Sequence, residues 1–178
     1  MLHMRDVPLA GRRVLVRSDL NVPLHEGRIL DDTRLRASLP TLRAALQAGA
    51  GVLVISHLGR PREGVPDPAL SLRPVADHLA TLLEFPVVFA PDWIGGVDLP
   101  AGTLTVGENV RFLPGEKQDD DALARRMAAL CDVYVMDAFG AAHRAQASTH
   151  AVARHATVAC AGPLLGEELA AIAQAIDT

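Results

Sequence analysis

The sequence has few of the residues that mark several common classes of protein. It contains two cysteines, one tryptophan, one tyrosine and four phenylalanines among 178 residues. Two cysteines cannot build the disulfide framework of a small secreted domain. Cys131 and Cys160 lie in or beside predicted strands without metal-ligand spacing, so we expect two reduced, buried thiols. With so few aromatic residues, the core must consist mainly of Ala, Leu and Val.

Long apolar runs and an excess of basic charge are absent too. The sequence has no apolar run of the roughly 18 residues that a transmembrane helix needs, and residues 1–10 lack the apolar segment of a signal peptide. We therefore expect a cytoplasmic location and no membrane partner. The net charge of −4 and the pI near 5.9 argue against nucleic-acid binding, which usually requires a basic face.

Local motifs for cofactors and metals are missing. Gly49-Ala-Gly51 precedes a strand instead of following one, so it is not the glycine fingerprint of a dinucleotide site, and no Gly-x-x-x-x-Gly-Lys-Ser/Thr phosphate loop occurs. His143, His150 and His155 lack the glutamate spacing of a zinc-binding helix. We expect neither a metal site nor a cofactor site in this chain.

Strand and helix patterns alternate along the chain. Short apolar segments predict strands at residues 14–16, 52–55, 87–89, 104–106, 133–136 and 157–159. Leucines at helical spacing predict a helix from Asp32 or Thr33 to about Gln47, and further helices are predicted after a capping Ser71 and from residues 119–121. The alternation predicts an α/β domain with a mainly parallel sheet of about six strands and right-handed crossovers.

Polar side chains follow four of these strands at the point where each strand ends. They are Asp19 and Asn21, His57 and Arg60, Arg111, and Asp137 with Arg144. The crevice beyond the carboxyl ends of a parallel sheet is where ligands bind, and an edge with these residue types suits a small anion. Arg34 also favours an anion-binding site, because a cation in the first turn of a helix is unfavourable unless an anion lies nearby.

Structural interpretations of the same residues remain open. Asp19 and Asn21 can close an Asx turn at the strand end. The arginines can have internal partners, Asp31 or Asp32 for Arg34 and Glu108 or Asp137 for Arg111. The segment 137–149 is rich in small residues, from which His143, Arg144 and Ser148 are expected to project.

Five segments together resemble the N-terminal half of phosphoglycerate kinase, in that family's order and spacing. They are residues 16–23 (Val-Arg-Ser-Asp-Leu-Asn-Val-Pro), 31–34 (Asp-Asp-Thr-Arg), 56–61 (Ser-His-Leu-Gly-Arg-Pro), 108–112 (Glu-Asn-Val-Arg-Phe) and 137–144 (Asp-Ala-Phe-Gly-Ala-Ala-His-Arg). The resemblance implies a Rossmann-like, three-layer domain over residues 1–165 and the start of an interdomain helix over residues 166–178. The departures from the family pattern are Ser18, Gly107, Met136, Ala141 and Gln146.

The resemblance also implies a role for each binding position, and all of them are retained. Arg34 would be the catalytic residue, because the family uses it to orient the carboxyl group and to stabilise the phosphoryl group in flight. The other roles concern the two ends of 3-phosphoglycerate. Asp19 and Asn21 would contact the hydroxy-carboxylate end, while His57, Arg60, Arg111 and Arg144 would hold the phosphate.

The family's second half, which binds Mg-ATP or Mg-ADP, is not contained in these 178 residues. The resemblance therefore implies a glycolytic kinase whose partners are 3-phosphoglycerate, 1,3-bisphosphoglycerate and a C-terminal nucleotide-binding domain. We expect this chain alone to bind the acid substrate without turnover. The alternative is a stand-alone anion-binding or interaction module that has lost catalysis, although the retained site residues favour the kinase.

The last segment carries an apolar stripe of helical period. Leu165, Leu169, Ile172 and Ile176 follow the break at Gly162-Pro163. In the family this region leads to the second domain. We expect the stripe to fold back on its own domain, to pair with another copy, or to fray.

Overall fold

Six parallel strands form the central sheet of the computed structural model, which describes residues 1–177. A separate antiparallel hairpin supplies two further strands. In chain order the strands are β1 (Arg13–Arg17), β2 (Leu24–His25), β3 (Arg28–Ile29), β4 (Gly51–Ile55), β5 (Val87–Ala90), β6 (Leu104–Gly107), β7 (Val133–Met136) and β8 (Val158–Ala161). The helices are α1 (Thr33–Gln47), α2 (Arg73–Leu82), α3 (Asp121–Ala128), α4 (Phe139–Ala142), α5 (Val152–His155) and α6 (Pro163–Ile176).

The strand order explains where a ligand crevice forms. The order across the sheet is β5-β6-β4-β1-β7-β8. From β1 the chain adds β4, then the edge strand β5, and returns with β6 between them, before it crosses to the other side of β1 with β7 and β8. In such sheets the ligand crevice lies beyond the carboxyl ends of the strands where the order reverses, which here is the edge next to β1 and β7.

Alternate residues of β1 point to opposite faces of the sheet and show which helices pack on each face. Val14 and Val16 are fully buried on one face, where they pack with Leu35 and Leu42 of α1 and Leu79 of α2. Each such side chain contributes about 1.5 to 3 kcal/mol when it leaves water. The predicted leucine stripe of the first helix is therefore confirmed as a buried face.

The opposite face has its own apolar cluster. Leu15 of β1 packs with Met127 of α3, Val152 of α5 and Trp93. The protein is thus an α/β domain of three layers with a parallel sheet of six strands, as predicted. Right-handed strand twist and short crossovers make this arrangement the usual solution for alternating strands and helices.

Some boundaries differ from the predictions. Helix α2 begins at Arg73 instead of directly after Ser71. Ser71 still contacts the start of the helix, because its Oγ accepts from Arg73 N at 3.1 Å, and the Glu108 carboxylate accepts from Ser71 Oγ at 2.6 Å and from Leu72 N at 2.8 Å. The last strand runs from Val158 to Ala161, one residue later than predicted at its start. The sequence patterns did not predict the β2–β3 hairpin.

The two cysteines are buried free thiols, as predicted. Cys160 packs in the cluster with α1, whereas Cys131 packs in the cluster with α3, so the sheet separates them. Burial raises the pKa of Cys131 to about 12 and that of Cys160 to about 11. Both thiols are therefore protonated and unreactive at neutral pH.

Helix α6 begins at Pro163, four residues before the predicted helical pattern at Glu167. Leu165 is buried and Leu169 is partly buried where the helix packs against α1 and α4, but Ile172 is 43% exposed and Ile176 is 77% exposed. The first part of the stripe folds back on its own domain, and pairing or fraying of the last turn stays a prediction. No helix within residues 1–177 is long and apolar enough to cross a membrane.

Candidate anion-binding site

The structure brings the predicted site residues to the carboxyl edge of the sheet. Asp19 and Asn21 follow β1, and Arg34 lies in the first turn of α1. His57 and Arg60 follow β4, Arg111 lies in a 3₁₀ turn after β6, and Arg144 follows α4. These residues come from five separate chain segments, which meet because parallel strands end at the same edge.

Arg34 contacts the loop after β1. Its Nη1 lies 3.6 Å from Asp19 Oδ1 and donates to Asn21 O at 2.6 Å. Asp19 Oδ1 also accepts from Asn21 N at 3.1 Å, so the Asx turn considered from the sequence is present as well. The turn and the ion pair coexist because one carboxylate oxygen can accept more than one hydrogen bond.

The two acidic residues before Arg34 have other partners. Asp31 Oδ1 accepts from Thr33 N at 2.8 Å at the start of α1. Asp32 Oδ2 accepts from Arg36 Nε at 3.0 Å and lies 2.9 Å from His78 Nε2. The carboxylate that pairs with Arg34 is Asp19, while Asp31 forms no ion pair with Arg34 in the described part of the chain. Hydrogen bonding with Thr33 is the largest cause of the lowered pKa of Asp31, and Arg34 is near enough for its charge to lower that pKa further.

Gly59 connects the loops after β1, β4 and β6. Its N–H donates to Asn21 Oδ1 at 3.0 Å, and its carbonyl accepts from Arg111 Nη1 at 2.7 Å. The residue has a φ of +60°, and a Cβ there would lie 2.7 Å from Leu70 Cδ2. Only glycine fits this turn without strain, so Gly59 fixes the spacing between Asn21 and Arg111.

Arg111 is 6% exposed and pairs with neither acidic residue considered from the sequence. Glu108 binds Ser71 and Leu72, while Asp137 accepts from Thr41 Oγ1 at 2.5 Å and Leu164 N at 2.9 Å. Within residues 1–177 the Nε atom of Arg111 is buried without a hydrogen-bond partner. Burial lowers the pKa of Arg111, and the charges of Arg144 and Arg17 lower it further.

Arg60 and Arg144 are exposed, and within residues 1–177 neither side chain forms an ion pair or a hydrogen bond. Both nevertheless lie close enough to Arg111 to lower its pKa. An arginine held near other cations without a carboxylate costs free energy, since like charges repel. These two guanidinium groups are available to a ligand.

His57 lies among the arginines and is 8% exposed. Burial is the largest cause of its low pKa of about 3, followed by the charges of Arg17, Arg111, Arg144 and Arg34. The imidazole is therefore neutral at physiological pH. We call His57 and the surrounding arginines, which are Arg17, Arg34, Arg60, Arg111 and Arg144, the cation cluster.

Arg17 and Glu116 were not predicted as site residues, and they meet at Ser148. Arg17 is fully buried and donates from Nε to Ser148 Oγ at 2.9 Å. Ser148 Oγ in turn donates to Glu116 Oε1 at 2.5 Å, and Ser148 N donates to Glu116 Oε2 at 3.0 Å. The expectation that Ser148 projects from its segment is wrong, because these polar groups hold it inside. The signal was an arginine continuing the apolar run of β1, which requires a buried polar partner.

His150 and His155 each contact an aspartate carboxylate. His150 Nδ1 lies 2.6 Å from Asp119 Oδ2, and His155 Nε2 lies 2.5 Å from Asp121 Oδ1. In the part of the chain that the structure describes, no three His, Cys, Asp or Glu residues are grouped so as to hold a metal ion.

Comparison with known proteins decides the family. The family model described as phosphoglycerate kinase matches residues 4–178. This chain belongs to the phosphoglycerate kinase family. A curated phosphoglycerate kinase from Nitratidesulfovibrio vulgaris (strain DSM 19637 / Miyazaki F) is 59% identical over 177 residues, covering 99% of this chain and 45% of that relative.

Solved phosphoglycerate kinase structures agree with the fold. The structure of phosphoglycerate kinase from Coxiella burnetii matches with a TM-score of 0.95 at 48% identity, covering 98% of this chain and 44% of that one. The crystal structure of phosphoglycerate kinase from Pyrococcus horikoshii OT3 matches with a TM-score of 0.86 at 29% identity, covering 98% of this chain and 45% of that one. The chain corresponds to the N-terminal domain of the family and spans less than half the length of these relatives.

Proposed function

We propose that this chain is the acid-substrate-binding domain of a phosphoglycerate kinase and that it binds 3-phosphoglycerate at the cation cluster. The observation that carries the proposal is the uncompensated charge of that cluster. Four arginines act on a neutral histidine and a fifth, Arg60, acts on Arg111, and the nearby carboxylates, Asp19 and Glu116, are too few to neutralise them. A phosphate and a carboxylate on one small molecule would supply the missing negative charge.

The arrangement suggests which end of the substrate goes where. Arg60, Arg111 and Arg144 repel one another and suit the phosphate, with His57 as a neutral donor beside them. Asp19 and Asn21 lie on the side of Arg34 and suit the hydroxy-carboxylate end. Arg34 is 54% exposed in its side chain and keeps donors available to the reacting carboxyl group.

The complete reaction in this proposal is reversible phosphoryl transfer between 1,3-bisphosphoglycerate and ADP, giving 3-phosphoglycerate and ATP. Mg-ATP or Mg-ADP would bind to a C-terminal nucleotide-binding domain, and residues 166–178 would begin the helix that leads to it. Phosphoryl transfer depends on positioning and charge neutralisation of both substrates. We therefore expect residues 1–178 alone to bind the acid substrate without turning it over.

Calorimetric titration with 3-phosphoglycerate tests the site. We expect one salt-sensitive site in the unsubstituted chain, since salt screens exposed charges. Arg60→Ala and Arg144→Ala should each weaken binding by about tenfold or more, because a charge-assisted hydrogen bond is worth roughly 1.5 to 3 kcal/mol. Arg13→Ala is the matched control, since Arg13 lies at the opposite end of β1 and pairs with Asp132.

Three results would contradict parts of the proposal. Unchanged affinity in both Arg60→Ala and Arg144→Ala would remove the cation cluster as the site. ATP formation by the isolated chain at a rate typical of kinases would show that a nucleotide domain is not needed. Equal affinity for inorganic phosphate and 3-phosphoglycerate, with no effect of Asp19→Ala or Arg34→Ala, would instead favour a simple anion-binding module.

A further inference from the structure

Arg17 differs from the exposed arginines of the cation cluster. Its side chain is fully buried at 0% exposure, whereas Arg34, Arg60 and Arg144 are exposed. A ligand in the crevice therefore cannot touch Arg17. Burying a guanidinium is costly unless its donors are satisfied, so the position of Arg17 requires an explanation other than direct binding.

Each of the three side-chain nitrogen atoms of Arg17 has a hydrogen-bond partner. Nε donates to Ser148 Oγ at 2.9 Å, Nη1 donates to Ser18 O at 2.5 Å, and Nη2 lies 3.1 Å from His57 Nδ1. Ser148 in turn donates from its Oγ and its N to the carboxylate of the buried Glu116. These four side chains, Glu116, Ser148, Arg17 and His57, form one buried polar chain that ends at the substrate crevice.

The contact between Arg17 and His57 decides where the imidazole proton lies. A guanidinium has only N–H donors and stays protonated in proteins. Nδ1 of His57 must therefore accept the hydrogen bond from Arg17 Nη2, which requires an unprotonated Nδ1. In a neutral imidazole the proton is then on Nε2.

The second ring nitrogen is the one that a ligand can reach. Within residues 1–177, Nε2 of His57 has no hydrogen-bond partner, and it is not among the fully buried polar atoms that lack one. It therefore accounts for part of the 8% of His57 that remains exposed. A protonated Nε2 at this position donates to an anion, whereas an unprotonated Nε2 would repel one.

We propose that Arg17 is a positioning residue: it donates to Nδ1 of His57 and thereby holds the ring proton on Nε2, where it can be donated to the substrate's phosphate. The identity of the anion as 3-phosphoglycerate rests on the proposed function. Ser148 orients Arg17, because its Oγ accepts from Arg17 Nε, and Glu116 holds Ser148 in place by accepting from its Oγ and its N.

The surrounding charges keep the ring neutral and so protect this arrangement. Besides burial, the charges that lower the pKa of His57 are those of Arg17 from β1, Arg34 from α1, Arg111 from the turn after β6 and Arg144 from the segment after α4. These four cations oppose a second ring proton, whereas the carboxylates of Asp19 and Glu116 act on the neighbouring Arg17. The ring acts as a neutral donor and not as an additional cation.

Nitrogen-resolved NMR of the His57 ring tests the assignment without any ligand. Couplings between the ring's carbon-bound protons and its nitrogens distinguish a protonated from an unprotonated nitrogen. In the unsubstituted chain we expect an unprotonated Nδ1, a protonated Nε2 and no titration across the ordinary histidine range. A proton on Nδ1, or titration near the ordinary value, would overturn the proposal.

Substitution of Arg17 gives the second measurement. In Arg17→Met we expect His57 to titrate closer to the ordinary histidine range, its two tautomers to mix, and 3-phosphoglycerate binding to weaken by about tenfold. The double variant Arg17→Met with Glu116→Gln also removes the Glu116 carboxylate and should show the same ring behaviour if the single variant does not fold. Ring spectra identical to those of the unsubstituted chain would overturn the proposal.

The control and the ligand titration separate this proposal from the proposed function. Arg13→Met removes an arginine from the same strand and should change neither the ring spectra nor the affinity. If the unsubstituted chain fails to bind 3-phosphoglycerate, the proposed function fails, and with it the role of Nε2 toward that substrate. The ligand-free spectra still decide whether Arg17 sets the tautomer.

Discussion

Strand β1 has an arginine at each end, and the two arginines have opposite environments. Arg13, at the amino end, is 47% exposed in its side chain, and its Nη2 lies 3.0 Å from Asp132 Oδ1. Arg17, at the carboxyl end, is fully buried and donates to a hydroxyl, a carbonyl and an imidazole. The cation at the amino end is neutralised locally, whereas the cation at the carboxyl end belongs to a cluster with excess positive charge.

The same difference holds elsewhere at the two ends of the sheet. Arg43, near the amino ends of the strands, pairs with Glu84 at 3.1 Å. Arg60 and Arg144, beyond the carboxyl ends, form no ion pair within residues 1–177. Paired cations need no ligand, but a cluster of unpaired cations is stabilised when an anion binds. The comparison teaches that the candidate site stands out as several cations gathered at one edge, of which Arg60 and Arg144 have no carboxylate partner within residues 1–177.

The largest expected effect comes from replacing the two β1 arginines. Arg17→Met should lower the free energy of unfolding by about 3 to 5 kcal/mol, because it leaves buried partners of Arg17 unsatisfied and removes one of the two cations that act on Glu116. Arg13→Met should lower it by about 0 to 1 kcal/mol, since exposed ion pairs contribute little. Urea denaturation of both variants measures the difference. Equal losses would show that the two ends of β1 do not differ energetically.

The next effect is a pH dependence of the free energy of unfolding, which comes from His57 at the carboxyl end of the sheet. The pKa of His57 is about 3 in the folded protein against an ordinary 6.5. Below about pH 6.5 His57 binds a proton in the unfolded chain but not in the folded chain. The contribution of His57 to the free energy of unfolding is therefore complete above about pH 6.5 and decreases as the pH falls toward 3. The loss should be roughly 1 kcal/mol per pH unit.

Comparison with His57→Gln isolates this contribution. Burial raises the pKa of Asp137 and Glu116, which opposes the loss in acid, but both groups remain in the variant. The free energy of unfolding should therefore fall less steeply between about pH 7 and about pH 5 in His57→Gln than in the unsubstituted chain. Parallel pH profiles would contradict a neutral, desolvated His57.

The smallest expected effect is a gain in stability. Arg144→Gln removes one of the charges that lower the pKa of Arg111 and His57. Without ligand, the variant should be more stable by up to about 0.5 kcal/mol, which is the usual range for surface substitutions. With 3-phosphoglycerate present, it should lose the ligand-induced rise in melting temperature. A destabilised variant without ligand would indicate that Arg144 has a structural partner.

Much of the fold could be predicted because its signals are local. Leu35, Leu39, Leu42 and Leu46 repeat at helical spacing, and all four are buried in α1. The strand ends could be predicted too, and parallel topology then places their polar residues at one edge. Residues such as Arg60 and Arg144 were therefore predictable as members of one site before any contact was known.

The connections inside the site could not be predicted, because they join residues that are distant in the sequence. Arg17 and Ser148 are separated by 131 positions, and Ser148 and Glu116 by 32. Asp137 was a possible partner for Arg111, but its carboxylate binds Thr41 and the first turn of α6 instead. A Cβ at Gly162 would overlap that carboxylate, so the turn into α6 also depends on a contact that no local pattern encodes.

The sequence by itself determined the α/β class, the buried faces of the helices and the residue types at the strand ends, because hydrophobic periodicity and strand termini are properties of short segments. Tertiary structure alone decided the order of the strands, the partners of each arginine and the tautomer inferred for His57. These depend on which side chains meet across the sheet and on how deeply each is buried. Burial sets the free-energy cost of an unpaired charge, and burial exists only once the chain has folded.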